Sequence, residues 1–140
     1  MNVNETLELR KALLQEKEET EPLTYEEYML LGDLQYLTYE IYAARISYIK
    51  ALGLNKTSEV YYALGIINQE MNEPAVAESF YLAAIRENPN YGIVYCDLAM
   101  LYLAMNREQE AEKLLDDAFV LNPDNLVPFI EKVNEERKKH

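Results

Sequence analysis

A repeat of 34 residues constrains the fold of this chain more than any other feature of its sequence. At several positions, residues 58–91 and the residues that follow them carry the same side chain 34 residues apart. Self-similarity at such a period indicates stacked supersecondary units rather than a single closed core. The side chains that recur at this spacing are Tyr61 and Tyr95, Leu64 and Leu98, Ala77 and Ala111, Ala84 and Ala118, and Pro89 and Pro123.

The residues within each repeat favour helices. The 140 residues include only 4 glycines and 5 prolines, and good helix formers such as Leu, Ala, Glu, Lys and Met occur in nearly every segment. Strand-like alternation is not sustained anywhere. Because 49% of the residues are hydrophobic, the chain can bury a sizeable core as one domain. We therefore predict an all-α fold of antiparallel helix pairs, with about eight helices in total.

Capping signals divide the chain into a leading helix, three repeats and a final helix. Asn2 with Glu5, and Thr24 with Glu27, have the spacing of a capping box at a helix start. The copy that follows Thr24 is an imperfect version of the later two. The predicted segments are a charged amphipathic helix at 1–21, repeats at 25–57, 58–91 and 92–124, and a capping helix at 125–140.

Two local features of the first copy lead to further predictions. The turns within the later copies contain Asn72 and Asn106, and Asn tolerates the positive φ that such a turn requires. The first copy has Tyr39 there, which is a poor residue for positive φ, so we predict a turn of different geometry. Gly53 predicts that the second helix of this copy ends at Leu52 with a left-handed glycine cap.

The pattern of the helix pairs resembles the tetratricopeptide repeat, whose signature places an aromatic residue, a Leu-Gly pair, further alanines and a proline at fixed offsets. The second copy departs from it at Asn68 and the third at Leu115, both of which replace a usual aromatic residue. In the second copy the signature positions hold Tyr61, Leu64, Gly65, Ala77, Tyr81, Ala84 and Pro89.

The resemblance implies a right-handed α-solenoid that binds another protein in a concave groove. The first helix of each pair would line this groove, although some of its apolar residues, such as Tyr36, could equally be core between helices. Tyrosine and methionine suit a binding surface, since one offers rigid contact area and the other adapts its shape. Carried over by register, the groove positions are Met29, Asp33, Tyr36, Tyr62, Ile66, Gln69, Ile93, Cys96, Asp97 and Met100.

The groove positions also indicate the kind of partner. Family members that hold the C-terminal carboxylates of heat-shock chaperones use Lys, Asn, Asn, Lys and Arg at five positions, which here are Met29, Asp33, Ala63, Ile93 and Asp97. Two are acids and none is basic, so we expect an apolar or weakly basic peptide instead. An adaptor is the first hypothesis for the function, and a secretion or assembly chaperone that shields an aggregation-prone segment is the alternative.

Charge and composition exclude several other functions. A net charge of -12 disfavours nucleic acid and anionic membranes, because binding phosphates needs clustered Lys and Arg. The only histidine is His140 at the last position, Cys96 has no histidine partner, and neither a calcium loop nor a glycine-rich phosphate loop occurs. We therefore predict no catalysis, no cofactor and no metal. The single cysteine and the charged first residues lead us to expect a cytoplasmic protein.

The leading helix needs a surface on which to bury Leu7, Leu13 and Leu14. An isolated helix of this length with a narrow apolar stripe is only marginally stable in water. We hypothesise that it occupies the groove of its own chain or of a second copy. In the latter case the protein would be a homodimer through its N-terminal helix.

Overall fold

The computed structural model describes residues 1–121 and 123–139, so Asn122 and His140 lie outside the described residues. The described residues form eight α-helices and no strand, which confirms the all-α prediction. In chain order the helices are α1 (Val3–Thr20), α2 (Tyr25–Leu37), α3 (Ile41–Leu54), α4 (Ser58–Glu70), α5 (Pro74–Glu87), α6 (Gly92–Ala104), α7 (Glu108–Leu121) and α8 (Pro123–Arg137).

The helices pair in sequence, and each pair stacks on the next. α2 packs with α3, α4 with α5 and α6 with α7, while α8 packs mainly on α6. The buried side chains form two main clusters along the stack, one around Leu31 and Leu64 and the other around Tyr81 and Leu98. Because each pair contacts mainly its neighbours, the core extends along the array as in other repeat proteins.

Helix α1 covers the N-terminal end of this array. The predicted capping box is present, since the Asn2 side chain accepts from the Glu5 N–H and the Glu5 side chain accepts from the Asn2 N–H. On the inner face of α1, Lys11 is only 5% exposed. Its ammonium donates to the Thr38 hydroxyl at 3.1 Å and pairs with Glu40 at 3.1 Å, which joins α1 to the turn between α2 and α3.

The turns within the three helix pairs share one backbone conformation, so the prediction of a different first turn is wrong. Tyr39 has a φ of 67°, close to the 57° of Asn72 and the 60° of Asn106. In the first pair the Glu40 N–H donates to the Gln35 carbonyl at 2.8 Å, and equivalent bonds close the other two turns. The Tyr39 side chain is 90% exposed, so it meets no neighbour that would oppose this conformation.

The prediction of a glycine cap in the first copy is also wrong. Helix α3 continues through Gly53 to Leu54, and Gly53 does not have a positive φ. The N–H of Asn55 still donates to the carbonyl of Ala51 at 3.0 Å. The helix therefore ends at Leu54, and Asn55 caps it in an extended conformation before α4 begins at Ser58.

Candidate peptide-binding groove

The first helices of the three pairs, α2, α4 and α6, line a groove that contains two adjacent cavities. We call the cavity of about 280 Å³ the apolar cavity; its lining includes Met29, Asp33, Tyr36, Tyr48, Glu59, Tyr62, Ala63, Ile66, Ile67 and Tyr91. We call the cavity of about 450 Å³ the polar cavity; it is lined by Tyr36, Ile66, Gln69, Glu70, Tyr81, Asp97 and Met100. The two cavities share Tyr36 and Ile66, so they form one continuous surface.

The structure brings most of the predicted site residues together on this surface. Those that line one or both cavities are Met29, Asp33, Tyr36, Tyr62, Ile66, Gln69, Asp97 and Met100. Ile93 is half-buried and packs against the second cluster of the core instead. Cys96 is only 1% exposed, so its assignment to the groove is corrected: it is a core residue.

The register of the repeat did not reveal several residues that line the groove. Tyr48 and Tyr81 lie on the second helix of a pair, and the sequence analysis used Tyr81 only as a signature position of the repeat. Each side chain is buried, and each nevertheless lines one of the two cavities, Tyr48 the apolar one and Tyr81 the polar one. Glu59 and Tyr91 also line the apolar cavity, and no signal in the spacing indicates their role.

Two hydrogen bonds within helix pairs hold polar groups of the groove in place. The Tyr48 hydroxyl donates to a carboxylate oxygen of Asp33 at 2.5 Å. In the next pair, the Tyr81 hydroxyl donates to Oε1 of Gln69 at 2.7 Å. Because both rings are buried, these bonds restrict the orientation of the two polar side chains.

Two further hydrogen bonds connect successive pairs across the floor of the groove. The Tyr36 hydroxyl of α2 donates to Glu70 of α4 at 3.1 Å. The Tyr62 hydroxyl of α4 donates to Asp97 of α6 at 2.5 Å. The spacing of the three first helices is therefore set partly by tyrosine–carboxylate bonds, which are stronger than hydrogen bonds between neutral groups.

Burial perturbs the ionisation of the acids and of the cysteine near the groove. Loss of water contact raises the pKa of Asp33 and of Asp97, and the hydrogen bond from a tyrosine only partly opposes this effect. The cation that acts on Asp97 is Lys132 of α8, whose charge lowers that pKa. Burial and the nearby charge of Asp97 raise the pKa of the Cys96 thiol to about 11, so the thiol is protonated and unreactive at neutral pH.

The lining combines aromatic and aliphatic surface with acidic groups. Among the described residues that line the two cavities, there is no lysine or arginine. The described part of the chain also contains no group of three or more His, Cys, Asp or Glu residues that could hold a metal ion. Such a surface can bind a chain segment by contact area and hydrogen bonding.

Helix α1 does not contribute to either cavity. Lys17 of α1 pairs with Glu27 of α2 at 2.6 Å, and Glu18 pairs with Lys50 of α3 at 2.8 Å. These contacts place α1 along α2 and α3, so the hypothesis that it fills the groove of its own chain is wrong. None of the helices in the described residues has the length and apolar character that crossing a membrane requires.

Comparison with protein families confirms the resemblance that the repeat suggested. Two models, each described as a tetratricopeptide repeat, match residues 58–91 and 80–113. A relative from Pyropia yezoensis, described as "Uncharacterized protein ycf37", is 34% identical over 68 residues. That match covers 49% of this chain and 38% of the relative, so the chain corresponds to well under two thirds of that protein.

Solved structures of MamA have the same fold. One MamA crystal structure superimposes with a TM-score of 0.74 over 99% of this chain and 96% of its own, at 19% identity. A second has a TM-score of 0.73 over 93% of this chain and 65% of its own, at 22% identity. These similarities confirm the α-solenoid of helix pairs, and at this level of identity they concern the fold alone.

Proposed function

We propose that this chain, which matches tetratricopeptide-repeat models over residues 58–91 and 80–113, is a protein-interaction module that holds an apolar or weakly basic segment of a partner in the groove of α2, α4 and α6. The observation that carries this proposal is the continuous surface formed by the apolar and polar cavities. Ligand sites are concave and mostly apolar, with a few polar groups that set orientation. Here the shared residues Tyr36 and Ile66 join an apolar surface to a polar one.

The groove is organised before any partner arrives. Four tyrosine hydroxyls already hold polar side chains of the lining, and two of these bonds connect successive helix pairs. A preorganised site loses less conformational entropy on binding. The methionines at its two ends, Met29 and Met100, supply the adaptable surface that a rigid tyrosine lining lacks.

An adaptor that recognises a segment of a folded partner remains our first hypothesis. A chaperone that shields an aggregation-prone segment is the alternative, and the two differ in what they do to the partner. A chaperone would keep in solution a partner that precipitates alone, whereas an adaptor would not. As part of this proposal the protein is non-catalytic, acts in the cytoplasm and binds neither nucleic acid nor membranes.

The predicted homodimer through the N-terminal helix also remains a hypothesis. On α1, Leu9 and Leu13 are 48% and 57% exposed, so a second copy could cover them. Sedimentation of the full chain and of a chain that lacks residues 1–20 tests this idea. A monomeric mass for the full chain across the micromolar range would refute it.

The groove itself can be tested by selecting binders from phage-displayed random peptides, because extended and helical segments are the ligands that such grooves recognise. The full chain is compared with Tyr62→Ala and Ile66→Ala, whose side chains lie in the groove. Tyr42→Ala is the matched control, because Tyr42 is 71% exposed on α3 and lines neither cavity.

We expect the groove variants to lose peptides that the full chain and Tyr42→Ala retain. Circular dichroism shows whether each variant keeps its helices, and Met100→Ala provides a milder substitution in the polar cavity should either fail to fold. Equal peptide binding by folded groove variants would show that the protein uses another face.

A further inference from the structure

We infer that the segment bound in the groove carries a lysine or arginine, whose charged end enters the polar cavity beside Asp97 and Glu70, next to an apolar residue in the apolar cavity. This inference rests on the proposed function, because it assumes that the groove is the binding surface. The proposed ligand is a segment in which a basic residue and an apolar residue are neighbours.

The first argument comes from the hydrogen-bond donors of the polar cavity. The Tyr36 hydroxyl already donates its hydrogen bond to Glu70, and the Tyr81 hydroxyl donates to Gln69. At the border with the apolar cavity, the Tyr62 hydroxyl donates to Asp97. The cavity therefore presents mainly acceptor oxygens, with the amide of Gln69 as a remaining donor. A ligand must bring its own donors, which lysine and arginine do and carboxylates do not.

The second argument comes from the charges of the groove. Elsewhere in the array, acids pair with basic side chains: Arg107 with Glu78 at 2.9 Å, and Arg45 with Glu73 at 3.1 Å. Among the ion pairs of the described residues, none involves an acid of the groove. The acids concerned are Asp33, Glu59, Glu70 and Asp97.

These groove acids carry negative charge on a surface that has no lysine or arginine in its described lining. The side chain of Lys132 is exposed on α8 and acts on Asp97 through space, but it forms no ion pair with Asp97. A cation that the ligand brings into the polar cavity would lie beside this carboxylate, because Asp97 is part of the lining. Charge complementarity therefore favours a basic segment and disfavours an acidic one.

The third argument comes from the shape and the apolar part of the lining. Ile66 and Met100 provide aliphatic surface in the polar cavity, which suits the methylene stem of a lysine or arginine. The half-buried ring of Tyr36 lies beside Glu70, where a guanidinium or ammonium can also contact an aromatic face. Because Ile66 and Tyr36 also line the apolar cavity, the neighbouring ligand residue meets an apolar surface.

The test repeats the peptide selection with charge-neutral variants of the full chain. In Asp97→Asn the amide oxygen can still accept from the Tyr62 hydroxyl, so the variant removes the charge and keeps the hydrogen bond. Glu70→Gln does the same for the bond from Tyr36. Glu87→Gln is the matched control for each single substitution, because Glu87 is exposed on α5, outside both cavities, and its loss changes the net charge by as much as either one.

We expect the unaltered chain and Glu87→Gln to select peptides with lysine or arginine beside an apolar residue. The double variant Asp97→Asn with Glu70→Gln should lose this enrichment in basic residues. A synthetic peptide of the most enriched sequence should bind that variant about tenfold more weakly in fluorescence anisotropy, the effect of losing one charge-assisted hydrogen bond. Replacing the basic residue of the peptide by glutamine should produce a similar loss.

Two results would overturn the inference. One is enrichment in aspartate, glutamate or free C-terminal carboxylates, and the other is unchanged enrichment in basic residues on the double variant. If the selected peptides are purely apolar but are lost on Tyr62→Ala, the inference fails while the proposed function stands. If no peptide is enriched on any folded form of the chain, the proposed function fails and the inference fails with it.

Discussion

The ring of Tyr81 lies against the backbone of Gly65, so closely that a Cβ atom on Gly65 would fall 2.5 Å from Cδ1 of the ring. The first copy has the same arrangement, with Gly32 under Tyr48 and a distance of 2.6 Å to Cε1. At the equivalent positions of the third copy the chain has alanine and leucine instead, Ala99 and Leu115. In the first two copies a glycine lies against a tyrosine ring. In the third copy the larger alanine replaces the glycine, and the smaller leucine replaces the tyrosine.

This contact predicts that Gly65→Ala destabilises the fold. Because the ring of Tyr81 is fully buried, it cannot move away freely, and overpacking of this kind costs roughly 1–3 kcal/mol. Urea unfolding measures the change. Gly53→Ala is the matched control: a Cβ there would meet nothing within 4 Å, so we expect a gain of about 0.5–1 kcal/mol from helix propensity.

The residues of the third copy indicate how the clash between a Cβ atom on residue 65 and the ring of Tyr81 can be relieved. In the double variant Gly65→Ala with Tyr81→Leu, the pair becomes the one that Ala99 and Leu115 form naturally. The cost of Gly65→Ala should be smaller in the Tyr81→Leu background than in the unaltered chain, with a coupling of about 1 kcal/mol in the double-mutant cycle. Additive effects of the two substitutions would refute this explanation.

The conformation of Tyr39 predicts a stabilising substitution. A non-glycine residue in the left-handed region costs about 1–2 kcal/mol, and Asn tolerates this region better than Tyr. Because the Tyr39 ring is 90% exposed, its removal should lose little packing. We expect Tyr39→Asn to raise the free energy of unfolding by about 0.5–1 kcal/mol.

Tyr42→Asn is the control for this prediction, since Tyr42 is an exposed tyrosine within helix α3. It should leave the melting temperature nearly unchanged, because Tyr and Asn have similar helix propensities. Thermal unfolding of both variants distinguishes the two backbone positions. The prediction for Tyr39 is wrong if Tyr39→Asn raises the melting temperature no more than Tyr42→Asn does.

The raised pKa of Asp97 predicts a dependence of stability on pH. The folded state holds the proton of this carboxyl more tightly than the unfolded chain does, so the ionised form of Asp97 destabilises the fold. That destabilisation is complete above the folded pKa and is lost as pH falls towards the ordinary value of 3.8. Asp97→Asn should therefore be more stable than the unaltered chain at neutral pH, and the difference should shrink in acid.

Urea unfolding across the acidic and neutral range measures this difference, with Glu87→Gln as the exposed control. Tyr62 donates to Asp97, and Lys132 acts on it through space. Burial raises the pKa of Tyr62, Tyr81, Tyr91 and Cys96, on which the charge of Asp97 also acts, so these groups stay protonated from acid to neutral pH. A gain from Asp97→Asn that grows as pH falls would contradict the assignment.

The contacts of Lys11 indicate that a buried charge anchors α1 to the rest of the array. The side chain of Lys11 is only 6% exposed, and its ammonium contacts Glu8, Glu40 and Thr38. Although burial lowers its pKa, the hydrogen bonds to the two glutamates outweigh that effect and the pKa is raised, so the group is charged in the fold. Lys11→Ala should cost about 1–3 kcal/mol in urea unfolding, because it leaves these partners without their donor.

Lys113→Ala is the matched control for this cost. Lys113 pairs with Asp117 at 2.9 Å, but its side chain is 77% exposed. Removing such a surface pair changes stability by about 0.5 kcal/mol or less. If the two variants lose equal stability, Lys11 does not anchor α1.

The repeat alone was sufficient to predict the helix pairs and the face of α2 and α4 that lines the groove. The positions of Met29, Tyr62 and Ile66 follow from register, because residues at the same offset of each copy lie on the same side of equivalent helices. The spacing did not distinguish Cys96, which is buried in the core, from these residues of the groove. Whether a residue at the edge of that face is buried or exposed depends on how the next helix, here α8, covers α6.

The pattern of side chains thus determined the α-solenoid, its period and the acidic, tyrosine-rich character of its groove. Only the tertiary structure decided which acid each tyrosine holds, that Tyr39 adopts the same turn as Asn72 and Asn106, and that α1 lies on α2 and α3 rather than in the groove. The physical reason is that periodicity records which way a side chain points from its own helix. The partner it reaches depends on the distance and rotation between helices, which packing sets.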